Sequence, residues 1–107
     1  MAKYTLIASR DPFASSDVET LYRWARELQE AGHSVTLFLV QNAVLQARQG
    51  CDEILGELAA AGVTICADDF SLTMRGISKE HLAESVQASK LDLIVDHMAE
   101  RHKVIWH

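Results

Sequence analysis

The sequence predicts an α/β protein, a mainly parallel five-stranded sheet with helices on both faces, in a three-layer α/β/α arrangement over residues 1–107. Three observations carry this. Short apolar runs of strand length alternate with segments of helical period along the whole chain, the pattern of successive βα units. The run 35–40, V-T-L-F-L-V, is almost continuously apolar, as a central strand covered on both faces must be. Glycines stand after helical segments at Gly32 and Gly62, where a left-handed residue ends a helix cheaply.

Taken in order, the first strand is 4–8, followed by a loop over 9–14 that holds the only proline, Pro12. Ser16-Asp17-Val18-Glu19 reads as a capping box, in which the Ser16 hydroxyl and the Glu19 carboxylate satisfy free amides at a helix start. Val18, Leu21, Tyr22, Ala25 and Leu28 then share one helical face, leaving Trp24 on the opposite side. The second strand, 35–40, ends at Gln41-Asn42. Helical pattern covers 43–48, breaks at Gly50 and resumes over 51–61, with Ile54, Leu55 and Leu58 as the side that packs on the sheet. The third strand is 63–67. A short helix over 69–75 shows Phe70, Met74 and Ile77 at helical spacing, and Ser78 caps a turn through Leu82. A short fourth strand fits 85–88. Ser89 caps a helix in which Leu91, Ile94, Val95 and Met98 share a face, and 104–107 forms the last strand. Parallel neighbours imply right-handed crossovers.

Composition narrows the function classes. A chain of 107 residues, 49% hydrophobic, can build one core, but small domains bury a lower fraction of their surface, so association is a natural gain. The net charge of −5 disfavours direct nucleic-acid binding, which needs a basic face. Neither a secretion signal nor a membrane-length apolar run is present, which places the two cysteines, Cys51 and Cys66, as reduced thiols in a cytoplasmic setting.

The sharpest chemical lead is V-T-I-C-A-D-D at 63–69. In a parallel α/β sheet ligands and chemistry collect at the carboxyl ends of strands. Cys66 stands near such an end, just before a helix start, which favours thiolate, although Asp68 and Asp69 oppose it. The other reading of Cys66 is a small buried hydrophobe. Cys51 follows Gly50 and lies three residues past Arg48, at a helix start that suits either a packed or a reactive thiol. Asp68 and Asp69 form an acid pair, or an N-cap followed by a first-turn charge. A phosphoacceptor receiver domain is excluded, since strand one leads into Ser9-Arg10-Asp11 and only His107 follows the last strand. Arg10 can hold an anion at the ligand-binding rim, and Gln41 and Asn42 can orient a ligand there. His97 and His102 are five apart, the wrong interval for one helical face, so no metal site is supported. No dinucleotide or P-loop glycine motif occurs.

The order and spacing of Q-N-A-V after the second strand, A-G-V-T-I-C-A-D-D-F-S-L-T-M-R-G-I and the closing K-V-I-W-H resemble the DsrE/DsrF/DsrH-like family, whose sulfur-relay members include the Tus proteins. The resemblance covers nearly the whole chain. The short length and closing tryptophan look most like the DsrH/TusB branch. The family implies a parallel five-stranded domain that assembles as trimers or hexamers with itself or with related DsrE-like subunits. It implies sulfur held as a cysteine persulfide and passed between donor and acceptor proteins, for sulfur oxidation or tRNA thiolation, with no metal or organic cofactor. On that reading Cys66 accepts sulfur and Arg75, in the R-G-I marker, helps hold it. In the DsrE/TusD branch the sulfur-carrying cysteine stands eight residues before the glycine of R-G, and here that position is Asp68. Either Cys66 is the equivalent thiol in a longer loop, or Asp68 replaces it and the chain is a non-catalytic interaction subunit.

Overall fold

The computed structural model describes residues 2–11 and 17–106. Five strands, β1 (Lys3–Ala8), β2 (Ser34–Leu39), β3 (Thr64–Asp68), β4 (Val86–Ser89) and β5 (Lys103–Trp106), form one sheet in the order β4-β3-β2-β1-β5. Every neighbouring pair is parallel. The apolar run at 35–40 does supply the central strand. The helices are α1 (Asp17–Glu30), α2 (Glu53–Ala60), α3 (Asp69–Met74) and α4 (Asp92–Ala99), with 3-10 turns at Gln41–Ala47 and Lys79–His81. No described helix is long and apolar enough to cross a membrane.

Side chains alternate across each strand, so the sheet has two independent faces. On the first, Leu6, Leu37, Leu39 and Ile65 pack against Leu21, Tyr22 and Ala25 of α1, Val44 of the 3-10 turn, and Leu55 and Leu58 of α2. The buried Tyr22 hydroxyl donates to Gln46 Oε1, so this core's phenol is satisfied where it lies. On the second face Ile7, Phe38, Val40 and Cys66 are buried under Ile94 of α4, with Leu93 and Val104 beside them. One face thus carries two helices and a 3-10 segment, the other a single two-turn helix.

Several local expectations change. Ser16 and His107 lie outside the described residues. The segment after β2 is a 3-10 helix rather than α, with Gln41 in the left-handed region at φ 51°. Ile54 faces outward and leaves Leu55 and Leu58 to pack. Ser89 ends β4 instead of capping α4, whose N-cap is Leu91. Ser78 makes no cap bond; its hydroxyl pairs with His81 Nδ1 at 2.8 Å. In α3 the buried residues are Ser71 and Leu72, while Phe70 and Met74 are two-thirds exposed, at 67% and 66%. The reason is the Asp68 cap, which turns Ser71 inward and so rotates the two large side chains away from the first core.

Candidate functional site

Strand register places Gln87, Cys66, Phe38, Ile7 and Trp106 in one row across all five strands. Cys66 occupies the third position of β3, on the α4 face, and is 1% exposed. Gln87 Nε2 lies 3.6 Å from its sulfur. Burial pushes the Cys66 thiol up, and hydrogen bonds from the Ser89 and Gln87 side chains pull it partly back. The thiol is therefore sealed in the second core and held in the protonated form at neutral pH.

Two residues further on, and hence on the same face, stands Asp68. It is the last residue of β3 and the N-cap of α3. Its Oδ2 accepts from the Ser71 amide at 3.1 Å and from the Ser71 hydroxyl at 2.7 Å. The same hydroxyl accepts from the Gln41 amide at 2.9 Å, tying the end of β2 to the start of α3. Arg75 donates through Nε and Nη2 to Asn42 Oδ1, at 3.1 and 2.9 Å, and through Nη1 to the Ser71 carbonyl at 3.3 Å. Gln41, Asn42, Asp68 and Arg75 thus belong to one network at the carboxyl ends of the two central strands, with Ser71 at its hub. Asp68 is 3% exposed, and its Oδ1 is buried with no hydrogen-bond partner among the described residues.

This network borders a groove of about 550 Å³ between α3 and α4. Ile7 and Val40 lie at its base, Phe70 and Met74 on the α3 side, Val95 and Met98 on the α4 side, and Trp106 at one end. Asp68, Gln41, Ser71 and Arg75 provide the polar groups. A single carboxylate set in hydrocarbon is a poor cation cage, which needs several oxygen donors. A concave, mostly apolar site with a few convergent polar groups suits a small organic molecule or an inserted side chain.

Of the other candidates, Arg10 is exposed after β1 and Asp69 is the half-buried first residue of α3; neither lines the groove. Cys51 is half-buried in a separate shallow depression beside Glu53 and Glu57. Ser71 escaped the sequence reading, although the Asp-x-x-Ser spacing at a strand-to-helix junction is a capping signal. So did the pairing of His97 with His102. Their rings stack at 4.0 Å and both Nδ1 atoms meet the buried Thr5 hydroxyl, at 2.8 and 3.1 Å. The helical interval did not apply, because α4 ends at Ala99 and the chain doubles back.

The sheet order, parallel crossovers and groove define a small α/β protein with a concave, mostly apolar surface at the carboxyl ends of β2 and β3. A model of the DsrE/DsrF-like family matches residues 2–107, and the chain belongs to that family. Among solved structures it resembles the YchN protein of E. coli, with a TM-score of 0.91 and 24% identity over 100% of both chains. It also resembles MTH1491 of Methanobacterium thermoautotrophicum, at 0.86 and 22% over 100% of both chains. A third likeness is to BT1422 of Bacteroides thetaiotaomicron, at 0.81 and 15%, covering 98% of this chain and 94% of that one. At these identities the structures speak to the fold. No curated protein sequence gives a significant match.

Proposed function

We propose that this DsrE-like protein serves cytoplasmic sulfur metabolism as a non-catalytic interaction subunit that binds through its groove and does not itself carry sulfur. The observation behind this reading is the placement of Asp68 and Cys66. The groove-lining position at the end of β3 is a carboxylate, which cannot hold a persulfide, and the thiol lies one row deeper at 1% exposure. Persulfide formation needs an accessible thiolate, and burial opposes both requirements here. Related DsrE-like subunits, or copies of this chain in a trimer or hexamer, are the natural partners. The half-exposed Leu91 and the exposed Val95 and Trp106 on the groove rim give such a neighbour an apolar surface to close over.

A second reading keeps Cys66 as the carrier. It is supported by the packing of the thiol in one cluster with Ile7, Val40 and Ile94, which line the groove, and by the Gln87 contact at 3.6 Å. In that scheme an opened Cys66 thiolate attacks the outer sulfur of a donor persulfide, the donor leaves as a thiolate, and the sulfane sulfur stays on Cys66.

Incubation with a polysulfide donor followed by intact-mass measurement separates the two. The interaction-subunit reading expects no donor-dependent gain of one sulfur atom at Cys66 in the native protein. It also expects a thiol reagent to label Cys51 faster than Cys66 by about 100-fold or more, because Cys66 reacts only through an opened state. A sulfur gain that Cys66→Ser abolishes and Cys51→Ser preserves would establish the carrier instead.

A further inference from the structure

Buried acceptors in native proteins are nearly always paired. Asp68 Oδ1 breaks that rule, being buried and without a partner among the described residues while its sister Oδ2 takes two bonds from Ser71. The residue lines the apolar groove between α3 and α4, and the cation in the groove lining, Arg75, already donates to Asn42 and the Ser71 carbonyl. The site is thus furnished with one strong acceptor and a hydrocarbon wall. Its volume, about 550 Å³, falls within the few-hundred to ~1,000 Å³ range of small-molecule pockets.

We propose that the groove binds an apolar small molecule bearing a single terminal amine, whose N–H group bonds to Asp68 Oδ1. The proposal rests on the reading that the groove, and not the thiol, is the working part of this protein. An ammonium is favoured because a charged donor on a carboxylate makes a charge-assisted bond, and because it offsets a buried negative charge. The hydrocarbon body lies between Phe70 and Met74 on one side and Val95 and Met98 on the other. Unbranched methionine side chains shift readily to admit different shapes. A carboxylate-bearing molecule of the same body meets repulsion from Asp68 and is rejected.

The test is titration of the full chain with 2-phenylethylamine, ethylbenzene and phenylacetate, three probes with the same aromatic body. Binding is followed by Trp106 fluorescence in a Trp24→Phe background and by the methyl resonances of Met74 and Met98. The amine is expected to bind about 10-fold or more tighter than ethylbenzene, the fold-change of one charge-assisted bond, with phenylacetate weakest. Asp68→Asn keeps a competent cap, since asparagine is as good an N-cap as aspartate, and is expected to bring the three probes within about 3-fold of one another. Val95→Trp fills the groove and is expected to weaken all three. Equal binding of the probes to the parent chain, an amine preference that survives Asp68→Asn, or no saturable binding by a chain whose NMR spectrum shows it folded would each overturn the proposal. Sulfur loading of Cys66 shows as added mass and counts against the reading beneath it; lost amine selectivity leaves the mass unchanged and counts against this inference alone.

Discussion

The two faces of the sheet are finished differently. On the α1/α2 face Leu6, Leu37, Leu39 and Ile65 are covered, Tyr4 and Ile105 are partly buried, and the helices present Leu21, Tyr22, Leu55 and Leu58 to them with almost no exposure. On the α4 face the buried cluster is five residues, and five large apolar side chains from α3, α4 and β5, with Leu91 at the α4 N-cap, remain exposed around it. Both faces have helices with an apolar stripe, so amphipathicity alone does not say whether a stripe is core or binding surface. What distinguishes them is coverage. The first face has two helices side by side, and the second has one short helix, which leaves a groove between itself and α3 at the ends of β2 and β3.

The largest effect that can break this contrast is in stability. Leu21→Ala on the closed face is expected to cost about 2–5 kcal/mol, the usual range for a fully buried leucine. Val95→Ala on the open face is expected to change the stability of the unassociated chain by no more than about 0.5 kcal/mol, as at other exposed positions. Denaturant midpoints measure both, and comparable losses would mean that the α4 stripe is covered in solution.

A middle-sized effect sharpens the role of the polar hub. Ser71→Ala removes the hydroxyl that joins Asp68 Oδ2 to the Gln41 amide, leaving the buried Asp68 with one acceptor bond fewer. A loss of about 1–3 kcal/mol is expected, while the neighbouring exposed Thr73→Ala is expected to be nearly neutral.

The smallest effect concerns the clasp that holds α4 to β1. His97 lies below the ordinary histidine range, chiefly through burial and next through the charge of His102, with Lys3 acting in the same sense and Glu100 and Asp96 against it. Because the folded value is the lower one, the unfolded chain takes the proton first. The contribution is whole above the ordinary value of about 6.5 and is lost as pH falls through it towards the depressed folded value. Unfolding midpoints between about pH 7.5 and 5.5 should therefore fall less steeply for His97→Gln than for the parent chain. Equal slopes would show that the Thr5–His97 contact carries no linkage.

Much of the fold was legible because it rests on periodicity. The 35–40 run announced its central place, and Gly62, at φ 106°, ended α2 where a left-handed residue was needed. Depth was less legible. Cys66 and Asp68 share a face, and nothing in C-A-D tells which is sealed and which lines the groove; that depends on how far α4 reaches over β3. Phe70 and Met74 at helical spacing look the same whether they meet a core or wall a groove. His97 and His102 came together because a helix ended between them, and the helical interval holds only within one helix. Of the residues read as site candidates, Gln41, Asn42, Asp68 and Arg75 converge because they flank the ends of adjacent strands. Arg10 and Asp69 flank such ends too, but neither lines the groove.

The sheet order has a consequence for how the chain acquires its shape. β1 pairs with β2 across a single helical crossover, but its other neighbour is β5, with Tyr4 opposite Lys103 and Ile7 opposite Trp106. That contact spans nearly the whole chain, so it carries the greatest loop-closure entropy of any strand pairing and belongs late in folding. During synthesis β1 must wait with one row of amides and carbonyls bare until residues 103–106 leave the ribosome. A bare strand of that kind is a template for a strand from another chain, and Thr5, in that interval, has neither histidine to hold. The last four-residue strand is therefore also a guard against mispairing, and its removal is expected to appear first as aggregation of nascent or refolding protein.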